Sequence, residues 1–575
     1  MRCARWLAGV MLGISCSGAA ARVAAAQASR GAAASCAGRI VSAVVVTPRA
    51  PSFLAFPRPL RPLARSAGLH HTTTRAEVVG RFLLLRVGQP CTERHRAESE
   101  RILRAQPFLA AATVRTVLEA DSSARIEVET VDEIPTVAGL GVRGGRPSRL
   151  RLGNGNVGGQ GRYLAASVER GFGYRAGVGL RAADYAAFGG PIRLELAAER
   201  SPLGGILALA AGHAFLTDLQ RAAWHVGYGT EHGYTRLMRP ADDAISLGVR
   251  RRLWDAGGVR RIGIGRFQAF AGGLLTGEHV VPAQSAVMIT DTGLVADTGS
   301  LLRARYAAFE NVRVNAVLGV RALRFMPVRG FDALASVQDV ATGAQIGALV
   351  GWGVPRLGAG NRHRFLSVDV YLGAGSATSF VALRGEGEAR EPLSSRRWDA
   401  IAGSARLAWY LRPAATSVIV ADAEFSGGTR TRIPLQLALG ARDGGVRGSA
   451  ASRAAGAARA VVRLEDRWTV AHPRGRAALG VAGFVDAGKV WAGDAPFGVT
   501  DRVRTAVGVG LLAAVPVETK RLWRVDVAVP VNPDARARRP EVRLTTTFVH
   551  GFWREPRDIA RVRAGAAPST IFTWP

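Results

Sequence analysis

Gly444-Gly445-Val446-Arg447-Gly448-Ser449 opens the stretch that decides the fold, and an Ala/Arg/Gly loop follows it. Next comes Ala460-Val461-Val462-Arg463-Leu464-Glu465-Asp466-Arg467-Trp468. A Pro/Gly turn at 473–475 then leads into Leu479-Gly480-Val481-Ala482-Gly483-Phe484-Val485-Asp486-Ala487-Gly488. Side chains alternate across a strand. Leu479, Val481 and Val485 therefore share one face, and Phe484 and Asp486 the other. In the earlier run Arg463, Glu465 and Arg467 lie opposite Val462, Leu464 and Trp468. One apolar face and one charged face suit a barrel with lipid outside and a polar lumen. A water-soluble sheet produces the same alternation, so these two strands alone leave both open.

A V-R-G loop, a strand carrying a glutamate and an F-x-D-x-G strand together resemble the C-terminal end of the outer-membrane barrel assembly and translocation family. BamA-type assembly factors and two-partner secretion transporters belong to that family. The matching residues are Val446-Arg447-Gly448 and Phe484-Val485-Asp486-Ala487-Gly488, with Ser449 standing where the family has an aromatic. The resemblance implies that the loop folds back into the barrel and that its arginine meets the strand's aspartate. Periodicity adds that Asp486 and Glu465 face the lumen if the apolar residues face lipid. Arg447 is thus expected to pair with Asp486, with Glu465 as second acceptor and Gly448 in the same loop-to-lumen anchor.

The chain has 575 residues and a net charge of +32, almost wholly from arginine; Lys489 and Lys520 are its only lysines. The arginines are spread among alternating apolar residues, without a basic block or an aromatic reading motif, which argues against nucleic acid. A basic lumen or contact with anionic lipid headgroups fits better. Residues 1–26 read as a secretory signal: Arg2 and Arg5, an apolar Trp6–Ser15 stretch, then Ala24-Ala25-Ala26. No later run reaches the roughly 18 apolar residues of a spanning helix. Cleavage near Ala26 removes Cys3 and Cys16. The two cysteines left, Cys36 and Cys91, suggest one disulfide in an oxidising compartment. No second cysteine pair or matching histidine spacing supports zinc.

Residues 37–133 read as a small α+β unit. Arg39–Val46 is a strand, and Pro48–Pro62 is extended. Thr74-Arg75-Ala76-Glu77 has the form of a capping box opening a helix to about Leu85. A second helix spans Glu93–Ala105. Strands at Ala112–Glu119 and Arg125–Val131 flank a turn at Asp121-Ser122-Ser123. Strand-helix-helix-strand-strand resembles a POTRA domain, the family's periplasmic module, which implies docking of extended segments at a sheet edge. His70-His71 beside the helix start reads as structural.

From Gly139 to Phe548 the texture is glycine, arginine and short alternating runs. Two G-x-G-x-x-G matches, at 139–144 and 153–158, do not open amphipathic helices and are discarded as nucleotide loops. Strands fit 160–170 and 173–184. Arg384–Arg397, with Gly, Glu, Pro and Ser, reads as an exposed loop. Near the end, Val507 to Ala513, Val525 to Val531 and Val542 to Phe548 alternate clearly, and Phe548 suits an interfacial girdle at the close of the last strand. Spanning strands take roughly 9–11 residues, so length alone allows twelve to eighteen of them; the resemblance implies about sixteen. Residues 549–575 form a tail with no assigned place.

No nucleophile elbow, Walker lysine or H-E-x-x-H occurs, so neither an enzyme nor a cofactor or metal site is expected. The reading is a mainly β protein, an antiparallel transmembrane barrel preceded by one POTRA-like domain. It sits in the outer membrane with its small domain in the periplasm. Its partners are outer-membrane lipid, unfolded outer-membrane or exported polypeptides, and periplasmic assembly partners. It assists insertion of barrel proteins or translocation of polypeptide. A passive porin-like channel and a secreted arginine-rich scaffold for anionic polymers are the alternatives.

Overall fold

The computed structural model describes residues 35–563 apart from 37, 52–71, 144–145, 171–175, 264–266, 291, 300–301, 303–304, 359, 361, 442–443, 533–538 and 549–555. The expected signal at 1–26, residues 52–62 of the proline-rich segment and His70-His71 lie outside these residues. So does the tail except for 556–563.

The small domain contains β1 (Val41–Arg49), α1 (Ala76–Gly80), α2 (Glu93–Ala105), β2 (Leu109–Leu118) and β3 (Ala124–Asp132). Its sheet has the order β1-β3-β2, with β1 parallel and β2 antiparallel to the central strand. Val78, Phe82, Ile102, Phe108, Ile126 and Val128 form the core between sheet and helices. Thr92 caps α2, its hydroxyl accepting the His95 N–H at 3.1 Å.

The capping box at Thr74 is not formed. Arg75 occupies the cap position without a side-chain bond, and α1 ends at Gly80 rather than near Leu85. Thr74 is instead drawn to a buried carboxylate. Its hydroxyl donates to Asp132 Oδ1 at 2.6 Å and its amide to Oδ2 at 2.8 Å, while Asn156 Nδ2 donates to the same hydroxyl at 2.7 Å. A buried carboxylate must be satisfied, whereas a helix end can be solvated. Glycine at position 80 also weakens any continuation of the helix.

Burial pushes the Asp132 carboxyl up to about 6 from its ordinary 3.8, against the Thr74 hydrogen bonds, which lower it. The folded state therefore holds this proton more tightly than the unfolded state. The group favours folding at low pH, and that contribution is lost as pH rises from about 4 through 6. The swing is about 3 kcal/mol at most. Denaturant midpoints of the wild type, measured relative to Asp132→Asn, should fall across that window and stay level above it. Parallel profiles from about pH 4 to 8 would show that Asp132 does not carry this linkage.

The wall begins with short strands: β4 (Thr136–Arg143), β5 (Arg146–Asn154), β6 (Arg162–Arg170), β7 (Ala176–Ala187), β8 (Ile192–Ser201) and β9 (Gly204–His213). Longer ones follow: β10 (Ala222–Leu237), β11 (Ile245–Ile262) and β12 (Gln268–Pro282). The loop after β12 carries a small hairpin, β13 (Val287–Ile289) with β14 (Leu294–Ala296). Then come β15 (Phe309–Arg329), β16 (Val337–Gly353), β17 (His363–Gly375), β18 (Ser379–Pro392), β19 (Asp399–Ala414) and β20 (Ser417–Thr429). A long loop contains the two-residue pair β21 (Leu437–Ala438) and β22 (Ala455–Gly456). β23 (Ala458–Ala471), β24 (Ala478–Trp491), β25 (Arg504–Ala514), β26 (Arg521–Pro530) and β27 (Glu541–Phe548) complete the wall.

Consecutive wall strands are antiparallel neighbours, and the order returns β27 beside β4. The wall numbers twenty strands among the described residues, not the sixteen implied by resemblance. Six of them fit between Thr136 and His213, because short hairpins use far less chain than the average spacing assumed.

Large apolar side chains stand exposed along the outer face, among them Leu209, Val320, Leu407, Leu464, Val509 and Val527. Trp352 and Trp491 ring the loop end, and Trp224, Trp409 and Trp468 the end nearer the small domain. An exposed apolar belt between aromatic girdles is the pattern of a membrane-spanning barrel. Phe548 ends β27 with its backbone opposite Arg521.

The inner face is charged and buried, with Arg313, Arg459, Glu278, Glu465 and Asp486 on it. Residues 384–392, expected in a loop, belong to β18. Glu386, Glu388 and Arg390 point inward and are buried, alternating with Gly385, Gly387 and Ala389. Beyond Val381 and Leu383 the outward positions are Gly385, Gly387 and Ala389, so this half of the strand has no large apolar alternation to reveal it.

The small domain is seated against the near end of the wall. Arg104 donates from Nε and Nη2 to Asp339 at 2.9 and 2.7 Å, and Arg101 lies 4.0 Å from the Phe325 ring centre. The Thr519 hydroxyl reaches Glu133 at 2.6 Å, and Lys520 Nζ donates to the Leu109 carbonyl at 3.3 Å.

Candidate functional site: the inward loop anchor

The loop between β20 and β23 folds into the lumen instead of standing away from it. Val446 is fully buried with Leu439, Val461, Val490 and Ala506. Two glycines make room for it. Gly448 has φ +82°, and a Cβ there would stand 3.1 Å from that of Ala506. At Gly488, the last residue of the F-x-D-x-G run, a Cβ would stand 2.6 Å from Val446 Cγ2. The glycine of that motif is the seat of the loop's valine.

Arg447 lies across the inner wall. Its Nε and Nη2 donate to Asp486 Oδ2 and Oδ1 at 2.8 and 2.7 Å, and its backbone N–H to Oδ2 at 3.1 Å. Nη1 donates to Glu465 Oε2 at 2.9 Å and lies 3.5 Å from Asp526 Oδ2. The guanidinium carbon is 3.4 Å from the Phe484 ring centre. A planar fork thus meets one carboxylate bidentately at its edge and an aromatic on its face, a geometry that lysine does not reproduce.

Register extends the cluster to residues that sequence reasoning had not singled out. Arg524 donates to both Glu465 oxygens, at 2.6 and 2.7 Å, and to Asp526 at 2.6 Å. Arg467 donates to Glu465 Oε1 at 2.5 Å. Three carboxylates thus meet three guanidinium groups, so the buried charges balance. The Phe484 ring packs where Gly508 has no side chain; a Cβ there would fall 2.3 Å from it. Glu541, on the last strand, accepts the N–H groups of Gly448 and Ala450 at 2.8 and 3.1 Å. Arg543 donates to the Val446 carbonyl at 3.3 Å. Period two puts Arg524 and Asp526 on one face, which is a usable signal. That Glu541 meets the loop could not be read without the sheet order.

Cys36 and Cys91 form a disulfide with Cα atoms 5.1 Å apart, tying the start of the small domain to the segment before α2. Among the described residues no group of three or more histidine, cysteine or acidic side chains is arranged to hold a metal ion.

No family model and no curated protein matches the chain. Among solved structures it is similar to BamA from Haemophilus ducreyi lacking POTRA domains 1–3, at a TM-score of 0.36 and 11% identity, covering 88% of this chain and 83% of that one. It is similar to CdiB from Acinetobacter baumannii at a TM-score of 0.37 and 10% identity, over 89% of this chain and 74% of that one. The outer membrane alcaligin receptor FauA from Bordetella pertussis is also similar, at a TM-score of 0.31 and 12% identity, over 74% and 67%.

Proposed function

We propose that this chain is an outer-membrane barrel that helps insert barrel proteins into that membrane or passes polypeptide across it. The observation that carries the reading is an inward loop braced against the wall and its last strand. Arg447 is fixed to the wall, and Gly448 and Ala450 hang on Glu541 of β27, which lies beside β4 where the strand order returns to its start. Strand edges are templates for pairing with another chain. A loop that braces the last strand from inside suits a machine that positions that strand for a client.

The small domain, in this reading POTRA-like and periplasmic, has β1 and β2 as its outer strands; α2 engages the Val114 N–H and carbonyl of β2 through Glu100 and Arg96, which leaves β1 as the edge where an extended segment can add. Periplasmic partners would meet the chain there, and lipid would meet the apolar belt. The chain acts by binding and positioning rather than by covalent chemistry, and without nucleic acid. A lumen occupied by its own loop fits a passive porin poorly.

Depletion of the protein followed by an inventory of the outer membrane tests this. General loss of other barrels supports insertion, and loss of one exported protein supports dedicated translocation. An unchanged inventory overturns the proposal in favour of a passive channel. Recovery of the chain as a soluble extracellular protein favours the anionic-polymer scaffold.

A further inference from the structure

After the last strand the chain forms one more element, α3 (Arg557–Val562). Six residues do not hold a helix alone in water, so its surroundings must. Ile559 is fully buried against Leu435 and Leu437 of the inward loop, with Val562 packed alongside. Arg251 of β11 donates to the carbonyls of Arg561 and Arg563 at 2.5 and 2.7 Å. Carbonyls at a helix C-terminus have no partner within the helix, and a cation there also suits the helix dipole. At the other end Asp558 lies 3.5 Å from Arg459 of β23.

Arg563, just past α3, completes the contact. Its Nη1 is 3.0 Å from Glu386 and its Nε 3.6 Å from Glu388, while Nη2 donates to Ser367 Oγ at 3.2 Å. Both glutamates are buried on the inner face of β18. The matching surface has an apolar seat, two acids and an arginine that reads terminal carbonyls. It is drawn from several separate strands of the wall, β11, β17, β18 and β23.

We infer that the lumen contains a binding site for a short amphipathic peptide helix ending in arginine. The chain fills this site with its own residues 557–563, blocking the lumen until the segment leaves. The chemistry recognised is an apolar pair spaced three apart, a terminal arginine and free end carbonyls. This holds whether or not the chain handles polypeptide in the way proposed above.

Conductance of the full chain in planar bilayers tests it. Ile559→Asp with Arg563→Glu should raise unit conductance several-fold. A synthetic peptide of residues 556–563 should then lower it saturably, and the same peptide with Arg563→Glu should not. Wild-type conductance in a double variant that still migrates as a heat-modifiable barrel would overturn the inference, as would equal block by both peptides. Should the double variant fail to fold, Leu437→Cys with Ile559→Cys decides. Oxidation should cross-link the pair and hold conductance low until reductant is added, whereas no cross-link in a folded barrel overturns the site.

Discussion

Arg447→Ala is expected to abolish most of the proposed assembly or secretion activity while leaving the barrel folded. The substitution strands Asp486, which is fully buried, and removes one of three cations from Glu465. Breaking a buried pair by deleting one partner costs about 3–5 kcal/mol. The loss should fall on the loop's position, since the wall keeps its hydrogen-bonded ladder. Arg447→Lys should rescue little, because an ammonium cannot hold both Asp486 oxygens while lying flat on Phe484. Asp486→Ala should act similarly, and the double variant should be less damaged than the sum, with a coupling of about 0.5–3 kcal/mol. Strictly additive losses, or full activity in Arg447→Ala, would show that the loop is anchored elsewhere.

Gly488→Val should match that loss by a purely steric route. A side chain there meets Val446 at 2.6 Å and both Leu439 Cδ1 and the Ala460 carbonyl at 3.1 Å. Overpacking of this kind costs about 1–3 kcal/mol where neighbours can move. Val446 moves only by withdrawing the loop, and Arg447 leaves with it. Limited proteolysis should find the loop newly cleavable in Gly488→Val, with heat-modifiable migration preserved. Gly483→Ala, whose added Cβ has nothing within 4 Å, is the control and should behave as wild type. A protected loop in Gly488→Val would refute the account of that glycine as a seat.

What could be read beforehand follows from where side chains must alternate. β23 and β24 carry large apolar residues on one face, so the inward direction of Glu465 and Asp486 was readable from period two. Their meeting with Arg447 needed the family resemblance as well. The second half of β18 escaped because Gly385, Gly387 and Ala389 fill its outward positions and leave only a charged rhythm resembling a loop. Thr74 looked like a cap because its sequence neighbours fit one; the competing acceptor, Asp132, lies 58 residues away. Glu541 and Arg524 joined the anchor through sheet order, which no local pattern contains. Strand number failed for the same reason, since hairpin pitch varies along the wall.

The seating of the small domain also sets an order of events in time. Glu133 is met by Thr519, 386 residues further on, and Arg104 by Asp339, 235 residues further on. The domain is made first, but half its resting place does not exist until the turn between β25 and β26 has been laid down. Contacts of such separation form late, because the intervening chain must first lose its freedom. For most of the barrel's growth the domain is therefore tethered but not yet seated, and its docking marks the wall as nearly finished.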